Sequence, residues 1–279
     1  MILPGTRRLL LVFAVLTLLA FVVLFVFAAE TDAYFAWTIK PPATAAWLGA
    51  AYAGGCALQV LALRNRSWVA IRVPFLAIAI FTVLTLLATL LHLELFHLVS
   101  GTTGGRVAAW FWLAVYVVVP VWMILALAAQ ERRGRVAGGR QPKIPIPLLL
   151  RILLLVQGAV LLGAGAALYL RPSTAGVLWP WTLTPLTARA IASWLVALGF
   201  AAVLIMIVNE LAELGIAIWA YAIFAVLELV VAVRFLDTVR WNAASWVYLG
   251  LCAFILVSAA YALLVRGRAR QQVGALPGG

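Results

Sequence analysis

His92-Leu93-Glu94-Leu95-Phe96-His97 is the one His-containing cluster in the chain, and it holds both of its histidines. Imidazole beside carboxylate is the material of metal sites and proton transfer. The spacing does not suit a metal on one helix. Ligands there sit at i and i+4, as in HExxH. These histidines are five apart, about 500° around a helix, so they diverge by about 140°. No third histidine exists to complete a shell, so neither a metal nor a cofactor is expected. Glu228 is a second candidate, a lone carboxylate inside an apolar run. An ionisable group at membrane depth is costly and normally faces the bundle interior with a partner. Thr85, Thr89, His92 and Arg189 are the partners the sequence offers from other segments. Arg234, Asp237 and Arg240 form a third group. Their three-residue spacing predicts two ion pairs along one helical face. With His92, Glu94 and His97 they are expected to line an outer vestibule.

The elements that must position these groups are membrane-spanning helices. Of 279 residues, 67% are hydrophobic and 10% charged, which no soluble domain of this size can bury. Eight uncharged or nearly uncharged runs are long enough to cross a bilayer: Leu9 to Ala29, Pro41 to Leu63, Val73 to Leu91, Val107 to Gln130, Ile152 to Leu170, Ala190 to Asn209, Leu214 to Val233 and Trp241 to Val265. Pro120 predicts a kink in the fourth. The first run follows Arg7 and Arg8 but exceeds the apolar length of a cleaved signal, so it reads as a retained helix. Glu228 lies about 14 residues into the seventh run, roughly 21 Å along its axis and past the midplane toward the outside. Cys56 and Cys252 lie within apolar runs, without a CxxC partner, and read as small core residues.

Lys and Arg set the orientation. With the N-terminus inside, only Lys40, Arg106, Arg171, Arg189, Arg234 and Arg240 of the 20 Lys and Arg fall outside. Both termini are therefore expected in the cytoplasm, and the chain in the inner (plasma) membrane. The net charge of +12 is then the charge of cytoplasmic loops and of contacts to anionic lipid, not a signal for nucleic acid. The stretch 131–146 is basic and Gly-rich and reads as a cytoplasmic linker. It separates a first four-helix half, 1–130, from a second, 147–270, and 271–279 reads as a mobile tail.

The halves echo each other. Trp37-Thr38-Ile39-Lys40-Pro41 follows the first run, and Trp181-Thr182-Leu183-Thr184-Pro185 follows the fifth. Ala108-Ala109-Trp110 enters the fourth run, and Ala243-Ala244-Ser245-Trp246 enters the eighth. We read a 4+4 parallel internal repeat, with halves related by a pseudo-two-fold axis along the membrane normal. Within the motif, Thr184 is expected to cap a helix that starts at Pro185. Trp37 and Trp181 are expected to anchor in the outer interface. Two helix N-termini beside Lys40 and Arg189 then make a candidate contact for an anion or lipid headgroup.

The stretch His92 to Pro120, together with the two Trp-Thr motifs, resembles a family of bacterial multi-pass membrane proteins that carry His-x-acid-x-Phe followed by Ala-Trp-x-Trp. The resemblance implies no activity. No Walker motif, GxGxxG, GxSxG or HExxH is present. Paired acids are also missing from the helices, which disfavours proton-coupled pumping. The expected fold class is all-α, a polytopic helical bundle of about eight transmembrane helices. The leading expectation for function is a structural or accessory membrane protein that binds lipid or another membrane subunit. The alternatives are a transporter or channel with a path between the halves, and an enzyme acting on lipid at the outer face.

Overall fold

The structure is a computed structural model that describes residues 2–65, 67–136, 144–211 and 214–274. Among the described residues, ten α-helices follow in chain order: α1 Pro4–Phe21, α2 Thr31–Tyr34, α3 Pro42–Arg64, α4 Val69–Leu90, α5 Thr103–Val136, α6 Leu148–Leu170, α7 Pro172–Ala175, α8 Pro185–Val208, α9 Leu214–Arg234 and α10 Ala243–Gly274. A π-helical turn, Val22–Val26, extends α1. Apart from the short α2 and α7, the eight helices are long and apolar enough to cross a membrane. The chain is an all-α polytopic membrane protein.

The helix limits follow local chemistry. Pro opens α3 and α8, where its missing N–H is not needed. Thr184 caps α8 as expected, its Oγ1 accepting from the Thr187 amide at 3.3 Å. α5 passes through Pro120 without a break and continues to Val136, well into the stretch read as a linker. Glu131 holds that extension by pairing with Arg72 at 2.9 Å and accepting from Trp68 Nε1 at 3.1 Å. α10 likewise runs on to Gly274, through the first part of the segment read as a tail. Residues 137–143 of the linker and 275–279 of the tail lie outside the described residues.

Alternate connections lie at opposite faces of the bundle. Gln130 Oε1 accepts from the Leu3 amide at 3.0 Å and from Thr6 at 3.3 Å, so the start of α1 meets the end of α5. The Ile146 amide donates to Asn209 at 3.0 Å, which joins the start of α6 to the end of α8. This is the terminal face. At the distal face, His97 reaches Thr38 at 3.0 Å, Arg189 reaches His92 at 2.7 Å, and the Arg240 amide donates to Pro180 at 2.8 Å. The two halves therefore cross the membrane in the same sense.

Four helices are inner and four outer. In α3, α4, α8 and α9 between 50% and 61% of the spanning window is buried, against 28% to 33% in α1, α5, α6 and α10. The halves interlock at the centre: α3 packs along α9, and α8 along α4. Each outer helix covers an inner one, α1 on α3, α6 on α8, α5 on α4 and α10 on α9. Each of these pairings in the first half thus has its counterpart in the second.

Small residues make these crossings close. Without a hydrophobic drive between helices in lipid, association relies on tight backbone approach. A Cβ placed on Gly199 would lie 2.7 Å from the Leu162 nitrogen and 2.9 Å from the Gly158 oxygen, so α6 and α8 touch backbone to backbone. Gly54 plays the same part between α3 and α9, facing the Ala220 oxygen at 3.0 Å.

Candidate functional site

Two grooves run down the sides of the bundle, one per half. The first, about 180 Å³, lies between α1 and α5. Leu19 and Phe111, each 54% exposed, stand on its rim, while buried Tyr52, Phe81, Trp112 and Tyr116 lie among its lining. The second, about 200 Å³, lies between α6 and α10. Exposed Val160, Leu178 and Val247 stand on its rim, while Trp47, Phe224, Glu228 and Cys252 lie deeper. Each groove also borrows one tryptophan from the opposite half, Trp194 for the first and Trp47 for the second. That exchange follows from the interlock of α3 with α9 and of α8 with α4. Exposed apolar side chains on a membrane-spanning segment face hydrocarbon, so both grooves open sideways toward lipid.

Their walls are apolar, and each holds a few buried polar groups. In the first groove the Tyr52 and Tyr116 hydroxyls pair at 2.7 Å. Thr17 donates to Gln59 Oε1 at 2.9 Å on the same wall. In the second, Tyr248 donates to Glu228 Oε2 at 2.6 Å. Glu228 is completely buried, and its Oε1 has no hydrogen-bond partner among the described residues.

The expected intramembrane site therefore divides. Glu228 takes its partner from α10, not from Arg189, His92 or the threonines. Thr89 accepts from Trp112 Nε1 at 3.0 Å and donates to the Thr85 carbonyl at 2.8 Å. Thr85 Oγ1 is buried without a partner among the described residues and lines a small separate cavity beside Trp37 and Trp112. The two arrangements are nonetheless equivalent. An α5 side chain bonds α4 through Trp112–Thr89, and an α10 side chain bonds α9 through Tyr248–Glu228. Trp37 packs on Trp112 at 5.1 Å between ring centres, and Trp181 packs on Tyr248 at 5.9 Å.

The outer vestibule does not assemble. α9 ends at Arg234, so Asp237 and Arg240 fall in the turn beyond it and the helical face that would pair them is missing. Asp237 forms no ion pair among the described residues. Arg234 donates to the Phe25 and Val26 carbonyls at the end of the first span, the latter at 3.2 Å. Arg240 donates to the Trp179 carbonyl at 2.8 Å. Both guanidiniums satisfy carbonyls left open where helical segments stop, where a cation is also favoured by the helix dipole. His97 bridges the Phe35 carbonyl at 3.1 Å and Thr38. No hydrogen bond or ion pair joins the His92–His97 group to Arg234, Asp237 or Arg240 among the described residues.

His92 meets Arg189 instead, 2.7 Å from Nη1 to Nε2. A guanidinium only donates, so Nε2 accepts and the proton rests on Nδ1, 3.7 Å from Glu94 Oε1. Burial, and then the Arg189 charge, hold His92 below its usual range, while Glu94 pulls the other way. Arg189 is thus engaged in tying α8 to the end of α4. Lys40 is exposed. Trp37 and Trp181 are not interfacial anchors: they are 3% and 1% exposed. The segments after α2 and before α8 fold back into the bundle, and Trp181 Nε1 donates to Thr44 in the other half at 2.9 Å. The exposed indoles at this face are Trp110, Trp241 and Trp246.

Sequence reasoning missed Tyr52, Tyr116, Gln59, Trp112 and Tyr248. The available signal was Tyr248 itself, which follows the Ala-Ala-Ser-Trp echo at the position where Trp112 follows Ala-Ala-Trp. No family model, curated protein or solved structure matches the chain.

Proposed function

We propose that this chain is a non-enzymatic membrane protein of accessory type that binds lipid chains in its two lateral grooves. The observation that carries the reading is the pair of apolar clefts at equivalent places in the two halves, each open toward hydrocarbon. An acyl chain supplies the missing van der Waals contacts along such walls, and its methylenes need no polar partner. Against chemistry stands the lack of any hydrogen bond or ion pair, among the described residues, that joins Asp237 to the His92–Glu94 pair, since acid–base work needs such groups within hydrogen-bond reach of one substrate. We further read the terminal face as cytoplasmic, because it carries most of the Lys and Arg, and the membrane as the plasma membrane. The two halves we read as a tandem duplication, supported by the equivalent helix pairings, the paired grooves and the matching Trp37–Trp112 and Trp181–Tyr248 contacts.

The test is purification from native membrane with mass spectrometry of what is retained. The unaltered protein should carry lipid that survives detergent washing. Ala20→Trp and Ala164→Trp, which fill one groove each, should lower the retained amount while the protein stays monodisperse. Retention unchanged in both variants, or a protein subunit retained with no lipid, would overturn the reading.

A further inference from the structure

We propose that the second groove is a selective site for a long-chain alcohol, held by a hydrogen bond from its hydroxyl to Glu228 Oε1. This rests on the lipid-chain reading above and names the chemistry one groove would prefer.

Two independent observations meet here. The first is the cleft itself, which follows α10 from Ala244 to Ile255, eleven helical rises or about 17 Å. Leu178 and Trp179 line it at the distal face, and buried Leu161 and Leu195 line it deeper in the bundle. That shape suits one extended hydrocarbon chain entering from the distal side. The second is the carboxylate in its wall. Glu228 lies six residues before the end of α9, about 9 Å below it. One oxygen is committed to Tyr248, and the other is buried and unpartnered among the described residues. A buried acceptor without a donor is costly, so the groove is poised to gain from any ligand that brings one.

The surroundings narrow the donor. No Lys or Arg among the described residues lines the groove, so a phosphate headgroup would bury its full charge there with only the unpartnered Trp47 and Trp179 indole N–H groups to offset it. An ammonium would have to shed its water among Phe224, Leu251 and Ile255 for a single carboxylate contact. A hydroxyl carries one donor and the smallest desolvation cost of the three. The first groove offers no buried side-chain oxygen that lacks a partner among the described residues, since its Tyr52 and Tyr116 hydroxyls bond to each other.

The experiment uses the full chain in lipid nanodiscs and a long-chain primary alcohol with a diazirine in its alkyl tail. Photolysis should label residues of both grooves. Unlabelled alcohol should displace the label from Val160 and Val247 about tenfold more effectively than its methyl ether, the size of effect expected when a buried acceptor loses its donor. The corresponding amine should compete no better than the ether. In Glu228→Gln the amide nitrogen can stand where Oε1 was and donate, so the alcohol's advantage over the ether should vanish while labelling persists. Leu251→Trp, which narrows the cleft and leaves the carboxylate, should abolish labelling there and spare Leu19 and Phe111. Equal competition by alcohol and ether, better competition by the amine, or an alcohol preference unchanged in Glu228→Gln overturns this inference but leaves the lipid-chain reading standing. Absence of label from both grooves overturns that reading too.

Discussion

At the scale of single residues, the polar side chains mostly join segments. His92 shows it most directly. Its Nε2 accepts from Arg189, so a protonated imidazole would set two cations against each other across 2.7 Å. Burial first, and Arg189 second, hold its folded value below the ordinary one near 6.5. Below that ordinary value the unfolded chain binds more protons than the folded one. Stability is then complete above about pH 6.5 and is lost as the pH falls toward the lower, folded value. Thermal unfolding in detergent should show a falling midpoint between pH 7 and pH 5, and His92→Asn should flatten that dependence. A slope unchanged by the substitution would remove His92 as its source. Trp181 gives a second expectation. Trp181→Phe keeps the ring packing but leaves buried Thr44 Oγ1 without its donor, so unfolding should become easier by about 1–2 kcal/mol. Thr44→Ala added to it should restore part of that loss, because the orphaned acceptor goes too. How legible were these residues? Thr184 was, since a threonine before a helical proline has one local job. Arg234, Asp237 and Arg240 were not. Their spacing implies pairing only if the helix continues, and α9 stops at the first of them. Glu228 was legible as buried, but its partner comes from α10, and no short-range spacing encodes a contact between helices.

At the scale of elements, the spans could be read because lipid tolerates only long apolar helices. Their ends shifted by a few residues where prolines and charged side chains take part in the helix. What the apolar pattern could not give is which helices are inner. That depends on small residues whose effect appears only when a second backbone arrives. Gly199 and Gly163 make the contrast measurable. Gly199→Ala pushes a methyl into the Leu162 and Gly158 backbone and should destabilise the protein by about 1–3 kcal/mol. A methyl added at Gly163, on the neighbouring α6, would meet nothing within 4 Å, so Gly163→Ala should be neutral or slightly stabilising. Equal effects of the two would mean that α6 and α8 do not cross where described. Trp37 and Trp181 teach a similar lesson. Tryptophan beside a span usually marks the interface, but here each segment turns back and buries its ring against an aromatic of the fourth helix of its half.

At the scale of the whole molecule, an even number of spans with connections on alternating faces sets both ends of the described chain on one face. If that face is cytoplasmic, a reporter that is active only in the cytoplasm should report when fused to either terminus, and one active only outside should report from the 91–102 or 235–242 connection. Opposite signals from the two termini would remove a helix from the count. The bundle could be inferred from composition, while the Trp-Thr echo only suggests the tandem duplication proposed above. The interlock could not, since sequence order would pair α3 with α4, and these two barely touch.

That interlock also bears on how the protein is made. During synthesis α3 and α4 leave the ribosome long before α9 and α8, the helices along which they pack. Until those later segments are inserted, the early ones can offer their small-residue faces only to lipid or to whatever insertion factor shelters them. A nascent chain halted near the linker is thus an incomplete object in the membrane, not a finished half, and a natural target for quality-control proteolysis. Two half-genes expressed together should yield a stable product where either one alone is degraded.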